Sequence, residues 1–279
     1  MRAGLLLALA GLLPALSYDP RPEQVVFYRW VTEQRVQWES AGDRLQYETR
    51  IAWDLGLRCA AVEATSATLA LSFIRVQALH RGPATEIVLD SARGAGADDP
   101  LLGHLYALVG QTLRLQVERA SGRVLRVEGA EEIVAAVQRR APASMPGEPS
   151  PLAAQAEALW GAAAWQRLWS QILALPRPED DEVPLPAPFS GGALRRSWQG
   201  QRWQLRVPDG AAPRFVLASD PTPVQGSISA LRGEGEIALA EGLPSQLRGR
   251  LALTLAIEAM TQPVSSQHEI AWELRVQEP

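Results

Sequence analysis

Apolar and polar residues alternate in two runs between Tyr28 and Leu57, on either side of the polar turn Ser40-Ala41-Gly42-Asp43. In the first run Tyr28, Trp30, Val36 and Trp38 share one parity, and Arg29, Glu33, Arg35, Gln37 and Glu39 the other. In the second, Leu45, Tyr47, Thr49, Ile51, Trp53, Leu55 and Leu57 alternate with Arg44, Gln46, Glu48, Arg50 and Asp54. Side chains on a strand point to opposite faces with period two, so the pattern predicts a hairpin with one buried and one wet face. The far end of the chain repeats it: Leu247, Leu251, Leu253, Leu255 and Ile257 alternate with Arg248, Arg250, Thr254 and Glu258, and Ile270, Trp272, Leu274 and Val276 with Glu269, Glu273 and Arg275. Strands of about thirteen residues span roughly 43 Å, and strands that long twist and coil.

Between these hairpins the pattern changes several times. Leu69, Leu71 and Phe73 keep one parity and Ile74 and Val76 switch to the other, which predicts a bulge near Phe73. A short strand, Thr85 to Leu89, ends at Asp90-Ser91. Asp99-Pro100 has the form of a helix cap followed by a first-turn proline, and predicts a short helix with Leu101, Leu105, Leu108 and Val109 inward and a stop at Gly110. Leu113 to Val117 and Arg123 to Glu128 pair around Ala120-Ser121-Gly122. A helix opens on Glu131 and Glu132, closes on Arg139 and Arg140, and packs through Ile133, Val134 and Val137. After a linker at Ala143 to Pro149, Ser150-Pro151 starts a helix predicted to run unbroken to Leu175, with Trp165, Leu168, Trp169, Ile172 and Leu175 on one stripe.

Pro176 to Gly192, which contains Glu179-Asp180-Asp181-Glu182, reads as an irregular connection. Strands resume at Ala193, with a hairpin about Gly200 carrying Trp198, Trp203, Leu205 and Val207, and a short strand at Phe215 and Leu217. Ser227 to Leu231 and Ile237 to Ala240 read as a separate pair. The fold expected is mainly β, of the α+β class: a long, strongly bent antiparallel sheet wrapped around two or three helices on its concave face. Residues 18–279 form one domain in this reading, with strands in 24–128, helices in 130–175, a proline-rich loop at 176–192 and strands in 193–277; length alone also accommodates two smaller domains.

Composition narrows the setting. Residues 1–17 read as a signal peptide, with Arg2, an apolar run from Leu5 to Leu16, and the small-x-small site Ala15-Leu16-Ser17. The run is too short to span a bilayer, which takes about 20 residues. The expected location is therefore exported, periplasmic or extracellular. The net charge is −4, so no global positive field draws the chain to nucleic acid. The 27 basic residues are all arginine, the mark of a GC-rich genome. Cys59 is the sole cysteine; no intrachain disulfide is open to it, and it reads as a small buried hydrophobe.

Catalytic patterns are missing. His80, His104 and His268 lie in different elements without the spacing of a metal site, so neither metal nor cofactor is expected. Gly226-Ser227-Ile228-Ser229-Ala230 lacks the second glycine of a nucleophile elbow, and Gly94-Ala95-Gly96 lacks the third glycine of a dinucleotide loop. The expectation is a non-enzymatic protein; a hydrolase would need one of the histidines to meet a serine and a carboxylate in a cleft. The unusual feature is nine tryptophans, at 30, 38, 53, 160, 165, 169, 198, 203 and 272. They read either as a filled core or as the lining of an apolar cavity between sheet and helices, with Trp30, Trp38, Trp53, Trp165, Trp169, Trp203 and Trp272 as the candidate ligand-lining residues.

Leu89-Asp90-Ser91, the run from Leu105 to Gly110, Ser121-Gly122-Arg123-Val124 and Val127-Glu128-Gly129 together resemble the motifs of an uncharacterised family of exported bacterial proteins. The resemblance covers the middle third of the chain. It implies a strand ending in Asp-Ser, a short helix ending in Val-Gly and a Gly-turn hairpin before a helix, and it carries no activity. The layout is also similar to the periplasmic lipoprotein-carrier fold. Two functions follow as expectations: a protein holding a lipid or other hydrophobic ligand between sheet and helices, or an envelope scaffold with a filled core that presents a sheet edge or the proline-rich loop to a partner.

Overall fold

A computed structural model describes residues 17–40, 42–141, 151–177, 181–184, 189–190, 193–207, 213–217, 224–259 and 262–277. The expected leader, except Ser17, and the linker at 143–149 lie outside them. The long alternating runs become strands: β1 (Val25–Ser40), β2 (Asp43–Val62) and β3 (Ser66–Arg81) in the first half, and β12 (Val224–Ala240), β13 (Leu243–Ala259) and β14 (Gln262–Val276) in the second. Shorter strands complete one antiparallel sheet of 14: β4 (Glu86–Asp90), β5 (Thr112–Glu118), β6 (Val124–Glu128), β7 (Asp181–Pro184), β8 (Phe189–Ser190), β9 (Ala193–Gln199), β10 (Arg202–Arg206) and β11 (Arg214–Leu217). Its main path runs β6-β5-β3-β2-β1-β14-β13-β12-β10-β9-β7, and the described ends do not pair into a barrel.

The two halves meet at a seam between β1 and β14, where Tyr28 opposes Val276 and the pairing continues to Glu39 opposite Ser265. Register carries one apolar parity across it: Trp30 opposes Leu274, Leu274 opposes Leu247, and Leu247 opposes Ile237. The inner face therefore runs without interruption from β5 to β12, and a one-residue slip would turn it outward.

The bulge near Phe73 is present, with Ile74 as the extra residue: Asp54 pairs with Arg75 and Leu55 with Phe73. The backbone groups of Phe73 and Val76 on either side of it are taken. Phe73 donates to the Gln111 carbonyl, Gly110 donates to the Phe73 carbonyl, and Ser91 donates to the Val76 carbonyl, while the Val76 amide donates to Ser91 Oγ at 2.9 Å. Arg75 beside it binds the buried Asp90 through both carboxylate oxygens. The Asp-Ser and Val-Gly motifs thus anchor one bulge. The motif glycine Gly122 sits at φ +72, where an added Cβ would fall 1.7 Å from the Leu173 carbonyl oxygen.

Three helices are described: α1 (Ala130–Arg140), α2 (Pro151–Trp160) and α3 (Ala162–Ile172). The helix expected from 151 to 175 is two, because Gly161 has an extended backbone (φ −71, ψ 168) and serves as N-cap to α3. The helix expected at Asp99-Pro100 is a 3-10 turn, Gly103–Leu108, preceded by a cap in which Asp99 Oδ1 accepts from the amides of Leu101 and Leu102. Two further expectations are corrected. Asp181–Pro184, read as irregular, forms β7 against β9, and the two segments read as a separate pair are one strand, β12.

Helix α3 lies along β6, where Ser170 Oγ accepts from the Val124 amide and Gln166 Nε2 donates to the carbonyls of Val124 and Leu125. Tyr18, fully buried, donates its hydroxyl to the Leu173 carbonyl just beyond α3.

Candidate functional site

The seven candidate tryptophans separate into two environments on one face of the sheet. Trp30, Trp53, Trp165 and Trp169 are buried, the last two at 3% exposure. Their rings interlock: Trp30 lies 5.7 Å from Trp169, Phe73 lies 5.5 Å from Trp53 in an edge-on arrangement, and Trp165 lies 5.6 Å from Phe73. Trp160 and His104 extend the chain of rings, at 5.5 and 6.0 Å. Indoles from α3 thus fill the space over the first half of the sheet. They do so with unpaired donors, since the buried Nε1 atoms of Trp30, Trp160, Trp165 and Trp169 have no hydrogen-bond partner among the described residues.

Trp203 and Trp272 stand on the same face beyond the seam, half-buried, with rings stacked at 5.9 Å and 17°. The reason lies beneath them. Trp203 opposes Gly235, Gly235 opposes Gly249, and Gly249 opposes Trp272, so two indoles at the ends of a four-residue row lie over two glycines in its middle. A Cβ on Gly249 would fall 2.4 Å from the Trp272 ring, and one on Gly235 2.4 Å from the Trp203 ring. Leu205 covers Gly233 in the neighbouring row. Around this platform the half-buried Leu251, Leu253, Leu255 and Ile270 continue the apolar parity, and Trp38, the seventh candidate, lies toward the β1–β2 turn at 36% exposure. The glycines escaped the sequence reading. Their signal was their parity, since Gly233, Gly235 and Gly249 fall where an apolar side chain was due.

The histidines do not assemble. His80 shares a hydrogen bond with Thr49 and stacks on Tyr47; His104 abuts Trp160; His268 lies 2.6 Å from Ser266 Oγ. Burial pushes the pKa of both His104 and His268 down. Among the described residues no cluster of three or more His, Cys, Asp or Glu is placed to hold a metal ion. Cys59 is buried, and burial raises its thiol pKa.

Neither a family model nor a curated protein matches this sequence. Among solved structures the chain is similar to one described under lipid–protein interactions in lipovitellin, with a TM-score of 0.43 at 10% identity. That match covers 93% of this chain and 26% of the other, so the chain spans about a quarter of the length of that relative. It is also similar to the translocator domain of autotransporter NalP from Neisseria meningitidis (TM-score 0.24, 8% identity, 91% and 90% covered). A third is a DUF1329 family protein from Desulfovibrio piger (TM-score 0.17, 10% identity, 89% and 85% covered). Scores this low carry no argument about ligand or activity. The resemblance to an exported bacterial family accordingly stands without a matching family model.

Proposed function

We propose that this is an exported, non-enzymatic protein that holds a lipid or another ligand with an acyl chain against the inner face of its sheet. The observation that carries the reading is the division of that face. The apolar parity continues across the seam, α3 fills only the first half with interlocked indoles, and the second half presents a stacked Trp203–Trp272 platform with half-buried aliphatics around it. The expected seat between sheet and helices is thus relocated to the inner face of β12–β14. In this reading the sheet curls around the helices on one side of the seam and around the ligand on the other, since strands of this length coil. Apolar burial at about 25 cal/mol per Å² makes such a platform a favourable surface for an acyl chain.

The test is native mass spectrometry of protein purified from its own envelope, with titration of an apolar fluorescent dye. A co-purifying lipid and saturable dye binding are expected, with the double variant W203A/W272A losing at least tenfold in dye affinity. Absence of both lipid and saturable binding would overturn the proposal. It would favour the second reading, an envelope scaffold, which the filled indole core over the first half supports.

A further inference from the structure

A groove of about 780 Å³ crosses seven neighbouring strands from β9 to β2, lined mostly by the parity opposite the indoles and also by Trp203, Gly235, Gly249 and Trp272. Small-ligand sites measure about 300–1,000 Å³, so the groove is of ligand size. A twisted sheet is saddle-shaped, and each face is concave along one diagonal. The polar parity supplies the charged part of the lining, and its charges alternate in sign along rows across the strands. Glu236 lies between Arg202 at 3.8 Å and Arg248 at 2.7 Å; Arg50 pairs with Glu33 at 3.1 Å; Arg250 opposes Glu234 in register.

The alternation fails at both ends of the groove. At one end Arg29 opposes Arg275, but Arg29 is held by Asp54 at 3.0 Å and by Gln77 at 2.7 Å. At the other, one row beyond the lining residues Ser197, Gln204 and Glu234, Arg206 opposes both Arg195 on β9 and Arg232 on β12. Three guanidinium side chains therefore stand in register on three adjacent strands. Arg206 and Arg232 are exposed, and among the described residues neither has an ion pair or hydrogen bond. On β7 the row continues with Glu182 opposite Arg195, but on β13 it continues with Ala252, which supplies no acid to Arg232, and Arg250 lies one row back on the same face. Like charges directly opposite on neighbouring strands repel, so an unliganded sheet gains nothing from placing Arg206 opposite Arg232. Guanidinium forks in register match the oxygens of phosphate or carboxylate.

We propose that Arg206 and Arg232, with Arg250 beside them, bind the oxyanion of a ligand whose remainder lies in the groove. The site is on the face away from the indole platform, and its test is separate from that of the acyl-chain reading. Inorganic pyrophosphate is titrated into the full chain by calorimetry at low ionic strength, and vesicles of phosphatidylglycerol and of phosphatidylcholine are tested by co-sedimentation. Pyrophosphate binding identifies a soluble phosphate-bearing ligand; binding to phosphatidylglycerol vesicles alone identifies a lipid headgroup. In either case R206Q/R232Q is expected to weaken binding at least tenfold without lowering the thermal midpoint, because it relieves a repulsion. R35Q, which removes an exposed arginine paired with Glu48 further along the same row, is expected to leave binding unchanged. No binding to pyrophosphate or to phosphatidylglycerol vesicles, or a double variant that binds like the parent, overturns the proposal.

Discussion

Asp90 shows how a single side chain secures the bulge on which the middle third of the fold rests. It accepts from Arg75 through both oxygens, from Gln77 and from the Ala92 amide, and the hydrogen bonds from Arg75 hold its carboxyl down at about 2 against an ordinary value of 3.8. A depressed carboxylate contributes stability that is present above its unfolded pKa and lost as pH falls through the folded one. Unfolding measured against pH is therefore expected to show a loss of stability between about pH 4 and pH 2 that is absent in D90N, which starts less stable at neutral pH. That Asp90 and Ser91 mattered was legible as a motif. What they do was not, because their partners Arg75 and Val76 lie on another strand and meet them only through the extra residue Ile74. The platform glycines were hidden for a similar reason. A residue without a side chain gives no hydrophobic signal, and only the register reveals that an indole from a neighbouring strand occupies the space it leaves.

At the scale of elements, period-two alternation located five of the six long strands, β12 having read as two, and the helical stripes located the buried faces of α1 and α3. Local punctuation was less faithful. Gly161 lies within a run that read as one unbroken helix yet divides it, whereas Gly233 and Gly235 fall between two segments that read as separate and lie inside a continuous strand. Propensity argues the same way at all three, and the tertiary neighbour decides. Edge strand β6 illustrates how helix and sheet depend on each other. Its outward backbone groups would invite another chain to pair, and α3 engages them through Gln166 and Ser170. Leaving buried groups such as the Val124 amide unpaired costs about 1–3 kcal/mol each. The variant Q166A/S170A is accordingly expected to lose about 2–4 kcal/mol in denaturant unfolding, by these per-group values, and to exchange the Val124 amide faster. An unchanged midpoint would mean that α3 is held by its indoles alone.

For the whole molecule, the decisive contact is the pairing of β1 with β14. The expectation that residues from both ends of the chain share one apolar layer was legible, because the two terminal hairpins carry the same alternation and neither has a polar inner face. The identity of the neighbouring strands was not legible, since alternation fixes which way a side chain points but not which strand lies beside it. Nor was the groove on the other face, which arises from twist. Removing residues 262–279 leaves β1 paired only with β2 and β13 only with β12, so one edge of each is bare along most of its length. Expression of that truncated chain is expected to give aggregates rather than a soluble monomer on size-exclusion chromatography, and a soluble monomer would show that the two halves fold without the strand that joins them.

The same pairing has a kinetic side. Contacts between residues so remote in sequence form slowly, since the loop between them must close before they repay its entropy. The middle of the sheet cannot be completed until the last strand is available, although the outer hairpins on either flank can zip up by themselves. An interrupted translation product would thus display two sticky margins at its centre rather than at its rim, and a chaperone or protease guarding against incomplete copies would have a single place to look.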